Sequence, residues 1–152
     1  MKSIKTLQTL ALAALSATLV GCGTTCLDSP VKNEPAKQVA VNKAQSDTFH
    51  FAFDKSSLST EDKAQLKKYV ETLKENPEMK VSIEGYTDKQ GREGYNNALG
   101  MRRAQVIATY LESKGIDRSR INLKSFGAEN PANAAETEEA YAQNRRAEVW
   151  FE

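Results

Sequence analysis

Two charged residues stand close in this sequence with different surroundings: Asp88 in Gly85-Tyr86-Thr87-Asp88-Lys89-Gln90-Gly91, and Arg103 in Leu99-Gly100-Met101-Arg102-Arg103-Ala104. The first stretch reads as a strand end running into a glycine-punctuated polar loop, the second as the opening turns of a long helix. On a helical wheel with Leu99 at zero, Val106, Ile107, Tyr110 and Leu111 form an apolar stripe from roughly −20° to +120°. Arg103 falls at about +40°, inside that stripe, whereas Arg102 falls at about −60° and can reach solvent. A buried guanidinium without a partner is costly, so Arg103 needs an acceptor, and Asp88 is the nearest one in sequence. The two either close on each other as a structural salt bridge or open together at the helix N-terminus. In the second case they fit a group carrying both an ammonium and a carboxylate. Asp88 would take the ammonium and Arg103 the carboxylate, through two parallel N–H groups. Asn96, near the first turn of the same helix, could add a hydrogen bond.

The elements that must position this pair follow from the periodicity. Thr48 to Phe53 alternates as a strand, with Phe49, Phe51 and Phe53 on one face and His50 and Ala52 on the other. Asp54-Lys55-Ser56-Ser57 breaks it, and Ser59 before Thr60-Glu61-Asp62 is a helix N-cap with acids in the first turn. Leu66, Tyr69, Val70 and Leu73 recur at helical spacing until Asn76-Pro77 stops the run. Met79 to Tyr86 is a second strand, with Val81 and Ile83 inward and Ser82 and Glu84 outward. The second helix starts near Gly94 and runs to Lys114, with Gly115 as its stop. Arg120 to Phe126 gives a third strand. Gly127 to Ala142 is a polar, alanine-rich excursion with a helical turn or two around Glu136 to Ala142. Arg145 to Phe151 closes the chain as a strand, with Ala147, Val149 and Phe151 on one face and Glu148 and Trp150 on the other. The expected fold class is α+β: a two-layer βαβαβ(α)β sandwich with a mixed four-stranded sheet and two main helices. Strands separated by helices are candidates for parallel pairing, and the last strand for an antiparallel return.

This domain, residues 48–152, is preceded by two segments of different character. Residues 1–21 read as a signal peptide: Lys2 and Lys5 form a positive start, and Leu7 to Val20 is apolar but shorter than the ~20 residues that span a bilayer. The run ends in Leu19-Val20-Gly21-Cys22, which resembles the bacterial lipobox, so Cys22 is the expected lipidation site. Gly23 follows it in place of an aspartate, which that resemblance reads as export to the outer membrane. Residues 22–47 hold Pro30, Pro35, lysines and asparagines without period, a flexible tether averaging ~25–30 Å end to end. Cys26 is then an odd thiol in an oxidising compartment, open either to a disulfide-linked dimer or to remaining free.

Composition and motif content narrow the function. The 152 residues carry a formal net charge of +1 and are 27% charged, too balanced to point to nucleic acid. His50 is the single histidine, with no second histidine or cysteine near it, and reads as a solvated side chain and not as a metal ligand or base. Glu84 and Asp88 lie four apart without a partner that would make them an acid–base pair. No enzyme, metal or cofactor is expected.

Several linked motifs carry a resemblance. Gly85-Tyr86-Thr87-Asp88-x-x-Gly91, Tyr95-Asn96-x-x-Leu99-Gly100-x-Arg102-Arg103-Ala104, Ser125-Phe126-Gly127-x-x-x-Pro131 and Asn144-Arg145-Arg146-x-Glu148-Val149 together resemble the OmpA-like peptidoglycan-binding domain. With the lipobox and tether the whole chain resembles the peptidoglycan-associated lipoproteins. The resemblance implies a peptidoglycan ligand, recognised through the diaminopimelate of the peptide stem, whose free centre is a zwitterion. It implies Asp88 and Arg103 as principal contacts and Asn96 as a helper, with Phe53, Asp54 and Thr87 lining the site. Arg145 is either a contact or structural. Gly94 departs from the glutamate that relatives often carry there. The implied role is anchoring the outer membrane to the cell wall through an N-terminal lipid, with the domain facing the periplasm. A second reading is an interaction hub for a Tol-like or porin partner, with Gly127–Ala142 as its surface.

Overall fold

Side-chain caps and alternating apolar residues generate the layers. The computed structural model describes residues 43–152; the signal peptide, Cys22, Cys26 and the tether upstream of Lys43 lie outside the described residues. After a 3-10 turn at Lys43–Gln45, strand β1 covers Asp47–His50, β2 Val81–Tyr86, β3 Ile121–Gly127 and β4 Arg146–Phe151. Helix α1 covers Thr60–Glu75, α2 Glu93–Ser113 and α3 Glu138–Asn144. Ser59 caps α1 through a reciprocal box: its hydroxyl accepts from the Asp62 N–H at 3.0 Å, and the Asp62 carboxylate accepts from the Ser59 N–H at 2.9 Å. Gly115, at φ +88°, turns the chain out of α2 as expected.

The sheet runs β1-β4-β2-β3. β2 and β3 are parallel, while β4 is antiparallel to both β1 and β2. The crossover through α1 therefore leaves a gap of one strand, which β4 enters last. Phe49, Val81, Ile83, Ala147 and Val149 of the sheet meet Leu66, Tyr69 and Leu73 of α1 and Ile107 and Leu111 of α2 in one buried core.

Two expectations need correction. Phe53 does not share the inward face of Phe49 and Phe51: it is 58% exposed. The strand ends at His50, and Asp54 adopts φ +54°, a left-handed turn that lifts the chain off the sheet. Ser82 and Glu84 do lie opposite Val81 and Ile83, yet they are buried too. The Glu84 carboxylate accepts from Lys43 Nζ at 2.9 Å and from the Tyr86 hydroxyl at 2.6 Å, and Ser82 bonds the Glu152 carboxylate. Central strands have neighbours on both sides, and paired polar groups can be buried there at little cost.

One contact fixes how closely α2 sits on the sheet. A Cβ on Gly85 would stand 1.9 Å from the Gly100 carbonyl oxygen, and one on Gly100 would meet Ser125 Oγ at 2.4 Å. Only glycine permits this backbone approach between β2 and α2.

Candidate ligand-binding site

At the C-terminal ends of β1 and β2, against the first turns of α2, lies a cavity of about 180 Å³. Phe53, Asp54, Thr87, Asp88, Asn96 and Arg103 line it, so six of the seven expected site residues converge. Gln90, Gly91, Tyr95 and Leu99 complete the wall. Arg145, the seventh, is not in the lining and stands behind Asp88. Glu84 belongs to the sheet face described above and takes no part in this wall, which separates it from Asp88. His50 is exposed and likewise outside it.

The wheel position of Arg103 is confirmed: the residue is fully buried. Its acceptor is not Asp88. Nε donates to the Lys55 carbonyl at 3.0 Å, Nη1 to the Tyr86 carbonyl at 2.7 Å and Nη2 to the Ala52 carbonyl at 3.4 Å. The guanidinium also lies over the Phe51 ring, 5.3 Å from its centroid. Periodicity told which way the side chain points but not which backbone lies opposite. The turn after β1 and the end of β2 supply the carbonyls. A guanidinium has five N–H groups, and these contacts occupy three, leaving one on each terminal nitrogen. Those two N–H groups are the donors that Arg103 keeps for a further acceptor. Burial pulls Arg103 down to about 10, with Asp88 opposing, so it remains charged at neutral pH.

Asp88 pairs instead with Arg145, Oδ2 accepting from Nη1 at 3.3 Å, both side chains being nearly buried. Its Oδ1 accepts from the Gln90 N–H at 3.1 Å, an Asx-type turn that shapes the loop. Asn96 Nδ2 donates to the Asp88 carbonyl at 3.3 Å, so Asn96 holds the loop from α2. Arg145 is itself anchored by the Phe51 carbonyl at 3.3 Å and by Glu138 of α3 at 2.8 Å. The Thr87 hydroxyl oxygen is buried without any hydrogen-bond partner.

The rim is aromatic. Phe53 and Tyr95 are both exposed, and the Tyr95 hydroxyl bonds the Asp54 carboxylate across the mouth. Tyr95, Gln90, Gly91 and Leu99 were not among the expected site residues. A signal for Tyr95 existed: it falls at about −40° on the same wheel, at the edge of the apolar stripe and one residue before Asn96. The walls thus present two carboxylates and one guanidinium, with a second guanidinium behind Asp88. Such a cavity can hold an ammonium and a carboxylate a few ångströms apart. Asp88 and Arg103 are not tied to each other, because each has its own anchor.

Comparison with known proteins places this architecture. A model described as the OmpA family matches residues 50–145. A peptidoglycan-associated lipoprotein of Legionella pneumophila is 37% identical, over 78% of this chain and 68% of that protein. One of Pasteurella multocida is 36% identical, over 94% of this chain and 96% of the other. The crystal structure of the peptidoglycan-associated lipoprotein from Burkholderia pseudomallei superposes with a TM-score of 0.67 at 32% identity, covering 69% of this chain and 89% of that one. These proteins are named for what they associate with and not for a reaction.

Proposed function

The chain belongs to the OmpA family, and on that footing we propose that it binds peptidoglycan without catalysis, holding the diaminopimelate of the peptide stem in the pocket between Phe53 and Arg103. The observation that carries this reading is Arg103: three carbonyls clamp it and leave one N–H on each terminal nitrogen for a carboxylate. Asp88 receives the ammonium of the same centre, and the unpartnered Thr87 hydroxyl gains a partner when the pocket fills. Phe53 and Tyr95 cover the methylene chain between the two centres.

At ~1.5–3 kcal/mol for each charge-assisted bond, two or three such bonds give modest affinity per site. Many copies on one membrane facing one polymer raise the effective attachment through avidity. In this reading lipid on Cys22 anchors the chain in the outer membrane, the tether spans to the wall, and the domain faces the periplasm.

The test is co-sedimentation of the purified protein with peptidoglycan. Asp88→Ala and Arg103→Ala each abolish sedimentation while circular dichroism reports an intact fold. Normal sedimentation of both variants would remove the site assignment. Release of soluble muropeptides by the wild-type protein would replace binding with hydrolysis.

A further inference from the structure

Asp88 shares Arg145 with a second carboxylate, that of Glu138, which is not in the pocket lining. Glu138 opens α3 and Arg145 caps its end seven residues later, so the helical period sets the two on one face. Thr137 caps the start of the helix, its hydroxyl accepting from the Ala140 N–H at 3.3 Å. At the other end Asn144 is tied to Asn133: its Oδ1 accepts from the Asn133 N–H at 2.9 Å and its Nδ2 donates to the Asn133 carbonyl at 2.7 Å. A helix fastened at both ends thus presents Glu138 to Arg145. Arg145 Nη2 donates to Glu138 Oε1 at 2.8 Å, a normal charge-assisted length, whereas its Nη1 donates to Asp88 Oδ2 at 3.3 Å, beyond that range. The guanidinium is held more closely by the outer carboxylate than by the one in the pocket. Asp88 accepts this long bond and one from the Gln90 N–H at 3.1 Å, of about four that a carboxylate can take. It lines the pocket with accepting capacity to spare.

We propose that Glu138 is a positioning residue for the pocket: by holding Arg145 it keeps the Asp88 carboxylate open to an ammonium. The inference rests on the peptidoglycan reading above and adds what sets the preference for a zwitterion. Without Glu138, Arg145 has one carboxylate left to serve and closes on Asp88, and an incoming ammonium must displace it. With Glu138 in place, the guanidinium stays paired while the ammonium takes its share of Asp88. A ligand that offers carboxylates alone meets Arg103 and leaves the Asp88–Arg145 pair untouched. Glu138 therefore acts on the ammonium half of the ligand and not on the carboxylate half. Glu139, the next residue of α3, is exposed and carries the same charge, but takes no part in the Arg145 pairs.

Calorimetric titration of the full chain with diaminopimelate and with pimelate, the same carbon chain without its amino groups, tests this. Glu138→Ala lowers the affinity for diaminopimelate about two- to fivefold, the range of a part-exposed ion pair, and leaves that for pimelate at the wild-type value. The ratio of the two affinities falls accordingly, whereas a general loss of folded protein would lower both and leave the ratio unmoved. Glu139→Ala keeps the wild-type ratio. An unchanged ratio in Glu138→Ala, or an equal fall in Glu139→Ala, overturns the positioning role and leaves the pocket assignment standing. Wild type that binds diaminopimelate no more tightly than pimelate overturns the ammonium contact at Asp88 and this inference with it.

Discussion

Arg102 and Arg103 are identical side chains one position apart, and the fold treats them in opposite ways. Arg102 lies over the Tyr95 ring at the surface, while Arg103 is sealed into a ring of carbonyls. A lysine at position 103 carries the same charge but lacks the planar set of donors needed for three carbonyls and a ligand at once. On the proposed reading, Arg103→Lys therefore weakens diaminopimelate binding at least ~10-fold by calorimetry, the equivalent of one lost charge-assisted bond. Arg145 acts one step back, by holding Asp88. Removing it strands a buried carboxylate, so Arg145→Ala lowers stability by about 3 kcal/mol in urea unfolding, and Arg145→Lys recovers part of that. The wheel made Arg103's burial legible from sequence. Its partners were not legible, because a backbone carbonyl has no letter in the sequence. The Asp88–Arg145 pair spans 57 positions, a separation that no local pattern encodes.

Among the elements, the Gly85–Gly100 contact ties the site to the core. Tyr86, whose carbonyl accepts from Arg103, follows Gly85, and Arg103 itself stands one helical turn beyond Gly100. Any side chain at Gly100 pushes α2 off β2 and separates that donor from its acceptor. Gly100→Ala thus costs about 3 kcal/mol and lowers affinity in the same variant, readable by paired urea and binding titrations. At the opposite end of β1, Asp47 accepts from Tyr69 at 2.7 Å and Lys68 at 2.7 Å, fastening the strand to α1. Burial works to raise the Asp47 carboxyl, but these two bonds hold it below its ordinary value overall. A carboxyl lowered in the fold contributes stability above its unfolded value, about 3.9, and that contribution is lost as pH falls through the lower folded value. Asp47→Asn should therefore lower the urea midpoint at pH 7, and the gap from wild type should close towards about pH 2. Caps and alternation showed all four strands and the two long helices within a few residues. The early end of β1 escaped them, because Phe51 and Phe53 continue the alternation while Asp54 turns the backbone away.

For the molecule as a whole, the order of the strands was only partly readable. Parallel β2 and β3 followed from the α2 crossover, and the antiparallel return of β4 from its position last in the chain. Its insertion between β1 and β2 depends on which gap the helices leave open, and no single segment states that. The proposed attachment of the domain to a membrane is tested upstream of the fold. Cys22→Ser moves the protein from the membrane pellet to the soluble fraction of cells, and an unchanged distribution would remove the lipid anchor from the proposal.

The direction of β1 has a mechanical meaning. The strand enters the sheet at Asp47 and leaves it beside the pocket, so the chain from Lys43 and the pocket sit at opposite ends of one strand. Tension between a membrane and a wall would then pull along β1 and not across it. Antiparallel hydrogen bonds lie perpendicular to the strands, so such a pull shears the ladder from Asp47↔Val149 to His50↔Arg146 as a unit. A pull across the strand would peel the same bonds one pair at a time. The clasp of Tyr69 and Lys68 on Asp47 stands at the loaded end, where the first slip would begin. Under the proposed attachment, the linkage should yield at the pocket before the fold gives way, letting go and rebinding without unfolding.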